Sequence, residues 1–131
     1  MLAENVVLHV SALVELLVGT DNDSWVRGRL RGCRAHTPAD VDAAVLICLE
    51  RLTATAALPP AVADDAVRRL ATMPLARHPV ADLAATAWAA RVGSGVADAV
   101  YLALADRLGA PLVATDPRLA RSGANVEIVG R

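Results

Sequence analysis

The segment Asn5-Val6-Val7-Leu8-His9-Val10-Ser11-Ala12-Leu13-Val14-Glu15-Leu16-Leu17 constrains the fold more than any other part of the chain. Its first residues form a short, β-branched apolar run that reads as a strand. From Val10 onward, Val10, Leu13, Leu16 and Leu17 recur at helical period until Gly19 stops the helix. A strand passing straight into an amphipathic helix begins an open α/β sheet, and such sheets hold their chemistry at the carboxyl ends of their strands. His9 and Ser11 sit at that turn and are candidate site residues.

A second pair of candidates lies near the other end. Ala97, Val100, Tyr101, Leu104, Ala105 and Leu108 recur at three and four, so Asp98 stands at the opening of an amphipathic helix closed by Gly109-Ala110-Pro111. The run Pro111-Leu112-Val113-Ala114-Thr115 reads as a strand and delivers Asp116 at its end. A hard divalent cation takes carboxylate oxygens, and two carboxylates from different elements can reach one ion if both lie at the same sheet edge. The bland alternative is that each caps a helix, with Asp116-Pro117 a well-formed helix start.

Between these ends the chain alternates short strands and helices. Asp21-Asn22-Asp23-Ser24 offers N-caps for a helix through Trp25, Val26, Leu30 and Arg31, ended by Gly32. Thr37-Pro38-Ala39-Asp40 reads as an N-cap, a first-turn proline and a capping-box acid. The apolar series Val41, Val45, Leu46, Cys48, Leu49 and Leu52 then calls for burial on more than one side, as in a central helix. Pro59-Pro60 opens a helix over 61–71 with Val62, Ala66, Val67 and Leu70 on one face. A short strand is expected over 75–78 and a helix from Pro79 to about Arg91. Gly93-Ser94-Gly95 reads as a turn, and 126–129 as an edge strand. The pattern predicts one α/β domain over residues 1–131, a short parallel sheet covered on both faces by helices in three α/β/α layers.

Composition limits the chemistry. All 13 basic residues are Arg, against 14 acids, so any contact with nucleic acid must come from a local patch. The run Arg27, Arg29, Arg31, Arg34 is the candidate, with Arg27 and Arg31 at i and i+4 on one helix face; its ordinary role is a solvated face. The absence of Lys removes a residue that P-loop chemistry requires. Cys33 and Cys48 stand in unrelated settings, and the sequence contains neither a leader pattern nor an apolar run of membrane-spanning length. A reduced, cytoplasmic protein without a membrane partner is expected.

With Ala97-Asp98-Ala99-Val100-Tyr101-Leu102-Ala103-Leu104-Ala105 and Leu112-Val113-Ala114-Thr115-Asp116-Pro117-Arg118-Leu119-Ala120 beside the N-terminal strand and helix, the chain resembles PIN domains, and among them the VapC-type toxins, from about residue 5 to residue 121. The resemblance implies a PIN-like fold and, for intact members, cleavage of RNA by four acidic residues that hold Mg or Mn, with a cognate antitoxin blocking the groove and a homodimer as the assembly. It also exposes a departure. Of the four acidic positions, the third and fourth are Asp98 and Asp116, but the first is His9 and the second is Ala44. Gly95 and Ala97 replace the polar residues that such chains usually carry before Asp98, leaving Ser11 and Thr115 as neighbouring hydroxyls.

A four-acid cluster balances two dications, whereas two carboxylates balance one, so metal binding is expected to be weak. His9 can be read as a ligand for a softer ion, as a proton shuttle or as a packed polar residue. Asp40, one helical turn before Ala44, is the candidate compensating acid, although it must span about 5.4 Å of rise. The leading expectation is a PIN-like protein with little or no nuclease activity that acts through a partner or RNA. The alternative is an active Mg- or Mn-dependent endoribonuclease using His9, Asp98, Asp116 and Asp40. Cys33, His36, Cys48 and His78 match no tight zinc spacing, and Gly93-x-Gly95 lacks the third glycine of a dinucleotide fingerprint.

Overall fold

The computed structural model describes residues 2–123 and 125–130. Met1, Ala124 and Arg131, included in the expected domain span, lie outside the described residues. Five strands form one parallel sheet in the order β3-β2-β1-β4-β5: β1 Glu4–Leu8, β2 Cys33–Pro38, β3 Ala76–His78, β4 Leu112–Ala114 and β5 Val126–Ile128. Helices α1 (Val10–Val18) and α2 (Asp23–Leu30) connect β1 to β2, and α3 (Val41–Ala54) and α4 (Pro60–Thr72) connect β2 to β3. Both crossovers run in the same direction along the sheet, so right-handedness places all four helices on one face, where α1 packs on α2, α3 and α4. The return from β3 to β4 runs the other way. It carries α5 (Ala84–Ala89), α6 (Arg91–Ser94) and α7 (Val96–Leu108) onto the opposite face, with α7 against β1 and β2.

The central strands read as nearly continuous apolar runs because both of their faces are covered. Val6, Val7, Leu8, Leu112, Val113 and Ala114 are fully buried. From α1 and α7, Leu13, Leu17 and Leu104 pack onto them from the two sides. Gly109 adopts the left-handed conformation (φ 60°) and caps α7 through its N–H to Ala105 O and Asp106 O, which turns the chain into β4.

Several local readings are corrected by the tertiary structure. Thr37 and Pro38 do not start a helix: they end β2, and α3 begins at Val41 with Asp40 at its N-cap making no side-chain capping bond. Pairing with β1 on one side and β3 on the other outweighs the weak strand propensity of Cys-Arg-Ala-His-Thr-Pro. α3 is not a central helix, since it buries one stripe, Val41, Val45 and Leu49, and leaves Leu46 at 47% and Ile47 at 55% exposure. The buried face of α4 is Ala63, Ala66 and Leu70, with Val67 exposed. The helix expected from Pro79 to Arg91 is a 3-10 turn over Val80–Asp82 followed by α5 and α6, and Gly93 and Ser94 lie inside α6. Leu83 and Ala87 alone are buried over that stretch, too little apolar surface to hold one continuous helix on the core. Arg31 falls just beyond α2 as its C-cap, so it does not share a helix face with Arg27.

Candidate active site

His9 leaves β1 in extended conformation (φ −74°, ψ 151°) and is itself the N-cap of α1: its Nδ1 accepts the Ser11 backbone N–H at 3.1 Å. That N–H can only donate, so Nδ1 holds a lone pair and the ring proton sits on Nε2. The Ser11 hydroxyl lies 2.8 Å from the same Nδ1 and accepts the Thr115 backbone N–H at 3.0 Å, tying the β1–α1 turn to the end of β4. His9 Nε2–H points across the sheet edge to Asp98 Oδ1 at 2.9 Å. The imidazole is 4% exposed and stacks at a tilt on Tyr101, their ring centroids 4.6 Å apart.

Asp98 lies in the first turn of α7 rather than capping it, since the N-cap is Gly95. Asp116 does cap: Oδ1 accepts the Arg118 backbone N–H at 3.0 Å and opens the 3-10 turn Pro117–Arg121. The Arg118 guanidinium also forks onto both Asp116 oxygens, Nη2 to Oδ2 at 2.6 Å and Nε to Oδ2 and Oδ1 at 3.0 and 3.2 Å. These bonds, chiefly those from the Arg118 side chain, hold the Asp116 carboxyl below its ordinary value.

Tyr101 stands one turn after Asp98. Its phenol is pushed up by burial first, then by the negative charges of Asp40 and Asp98. Asp40 is solvent-exposed and stands at the N-cap of α3. Ala44, half-exposed, follows one turn along α3, its N–H on Asp40 O at 3.1 Å. Asp42 is turned away into a two-pronged ion pair with Arg77 at 2.8 Å.

Among the described residues, no group of three or more His, Cys, Asp or Glu is arranged to hold a metal ion. Asp98 Oδ1 carries a proton donor from His9, and both Asp116 oxygens carry Arg118. A hard dication requires about six oxygen ligands, and the donor set as held here does not fit one. The structure therefore brings His9, Ser11, Asp98 and the Thr115 backbone together, places Asp116 next in the chain on Arg118, and shows no contact between the Asp40 side chain and any of them.

The remaining candidates separate. Arg27 is paired with Asp23 at 3.5 Å on the surface, and with Arg31 it lines a shallow depression floored by Leu16 and Leu30. His36 and His78 meet on neighbouring strands, but Cys33 sits against Arg29 and Cys48 lies in α3, so the zinc set is not assembled. Sequence reasoning missed the roles of Tyr101 and Arg118. The available signals were the helix-face spacing of Tyr101, at i+3 from Asp98, and the place of Arg118 two residues after Asp116, whose N-cap oxygen takes its backbone N–H.

Residues 6–125 match the PIN domain family. The chain is 41% identical to the ribonuclease VapC3 of Mycobacterium tuberculosis over 128 residues, covering 97% of this chain and 93% of that protein. It is 36% identical to the ribonuclease VapC12 of the same organism over 124 residues, covering 94% and 96%. A crystal structure of M. tuberculosis VapC20, a sarcin-ricin loop cleaving toxin, superposes with a TM-score of 0.68 at 21% identity, covering 95% of this chain and 99% of that one, and shows the fold. The parallel sheet with acids at its carboxyl edge is thus a PIN domain, and the chain belongs to the VapC ribonuclease family of PIN proteins. No helix among the described residues is long and apolar enough to cross a membrane.

Proposed function

We propose that this chain is a VapC-type protein that keeps the toxin fold and its RNA- and antitoxin-facing surfaces while binding Mg or Mn weakly and turning RNA over far more slowly than its four-acid relatives. The observation that carries this reading is the His9–Asp98 hydrogen bond: where the family's first acid would face a metal, this chain presents an N–H to the acid it retains. Phosphodiester hydrolysis is very slow unaided, and metal activation of water with charge neutralisation supplies most of the rate. Replacing one carboxylate by imidazole and another by methyl weakens both. The protein acts in the cytoplasm through RNA or a cognate antitoxin as a homodimer, with exposed Leu46 and Ile47 available to the interface.

Restoring the cluster with His9→Asp and Ala44→Glu is expected to strengthen Mn binding in calorimetry and to switch on cleavage of structured RNA. Efficient metal-dependent cleavage by the unaltered chain, abolished by Asp98→Asn, would instead establish the rearranged enzyme. In that reading Asp40, the N-cap residue of α3 one turn before Ala44, would stand in for the missing acid.

A further inference from the structure

Arg118 pairs directly with Asp116, and no other acid forms an ion pair with it among the described residues. It occupies Asp116 from two directions, the backbone N–H on Oδ1 and the guanidinium across both oxygens. The side chain is 81% exposed while the Asp116 side chain is 20% exposed, so the guanidinium lies over the carboxylate from the solvent side. Its charge also feels Asp98. A dication approaching from solvent meets Arg118 first and must displace it to gain an Asp116 oxygen.

We propose that Arg118 is a resident counter-ion of this site, an in-chain plug that competes with divalent metal for Asp116. The inference rests on reading Asp98 and Asp116 as the retained acids of the PIN cluster. A guanidinium suits the role because its planar fork matches both carboxylate oxygens and it stays charged at every physiological pH. Being exposed, it can swing aside without disturbing the core, whereas the His9–Asp98 contact is held by a His9 ring that is only 4% exposed.

The test is Mn2+ affinity, read by titration calorimetry and by loss of the free-ion electron paramagnetic resonance signal. Both are measured in the native chain and in the His9→Asp, Ala44→Glu background, where binding is strong enough to quantify. Arg118→Gln is expected to tighten Mn2+ by roughly three- to tenfold relative to its own parent, from loss of a competing exposed pair and of one repelling charge. Arg118→Lys keeps the charge but cannot fork, and is expected to fall between the two. Arg121→Gln, in the same 3-10 turn, controls for bulk charge and should leave affinity unchanged. Equal affinity for Arg118→Gln and its parent, an equal gain in Arg121→Gln, or no Mn2+ binding by any variant would overturn the proposal. The absolute affinity of the native chain tests the proposed function, whereas the ratio between Arg118→Gln and its parent tests the plug. Melting curves identify any variant that fails to fold, and Arg118→Lys keeps the ratio measurable in that event.

Discussion

Replacing His9 by Asp in the otherwise native chain should exchange a metal-independent fold for a metal-dependent one. Asp is as good an N-cap as any residue, so the Ser11 N–H keeps its acceptor and the start of α1 is preserved. The loss falls on the far side of the ring. The 2.9 Å bond to Asp98 disappears, and a second carboxylate faces the first in a partly buried setting. A hydrogen bond to a charged group contributes about 1.5–3 kcal/mol, and two like charges about 4 Å apart repel by roughly 1–4 kcal/mol between water and a protein-surface dielectric. With relaxation of the exposed carboxylate toward solvent, a net cost of about 2–4 kcal/mol in chelator is expected. For a domain of this size that lowers Tm by roughly 6–15 °C. Metal should reverse it: at a concentration one hundred times Kd, binding to the native state returns about 2.7 kcal/mol. The assay is thermal unfolding of both proteins in chelator and in millimolar Mn2+. The native chain should shift little, and His9→Asp should start lower and rise by most of its deficit. Equal melting temperatures in chelator would refute the structural role given to His9, and an equal Mn2+ shift in both proteins would refute the claim that the native site is a poor ligand set.

Two further outcomes follow from other parts of the molecule. His36 Nε2 lies 2.9 Å from Asn5 Oδ1 and its Nδ1 lies 2.9 Å from His78 Nε2, a chain of side chains across β1, β2 and β3. Burial chiefly, then the charges of His78 and Arg34, lowers the His36 pKa below 6.5, so its contribution is complete above about pH 6.5 and is lost as pH falls through the lower folded value. Urea midpoints should fall between pH 7.5 and pH 5 in the native chain and fall less in His36→Leu; parallel curves would exclude His36 as the source. Ile47→Glu, on the exposed side of α3, should convert the proposed homodimer to monomer in sedimentation without lowering the monomer's helix content, and a monomeric native chain at high micromolar concentration would remove the premise.

Much of the fold was legible because its deciding signals are contiguous. β1, α1, α7 and β4 each announce themselves by a local period and a stop signal: Gly19 after α1, Gly109 after α7, and the apolar run before Asp116. Those same elements carry His9, Asp98 and Asp116 to one edge of the sheet, so the candidate site could be named residue by residue. β2 could not be read this way. Its Cys-Arg-Ala-His-Thr-Pro has little intrinsic strand preference and becomes a strand because β1 and β3 present unpaired backbone on both sides of it. The same cause displaced the start of α3, since a proline already paired as a strand end is not available to open a helix.

The sequence by itself determined which groups arrive at the carboxyl edge, because strand, turn and helix are set by neighbours a few residues away. The tertiary structure decided what each group is bonded to. His9 and Asp98 are 89 positions apart and meet because α7 packs on β1 from the face opposite α1. The Ser11 hydroxyl takes an N–H from Thr115 because β4 lies beside β1 in parallel register. Protonation and metal affinity depend on distance and burial, and these exist only after the sheet has closed.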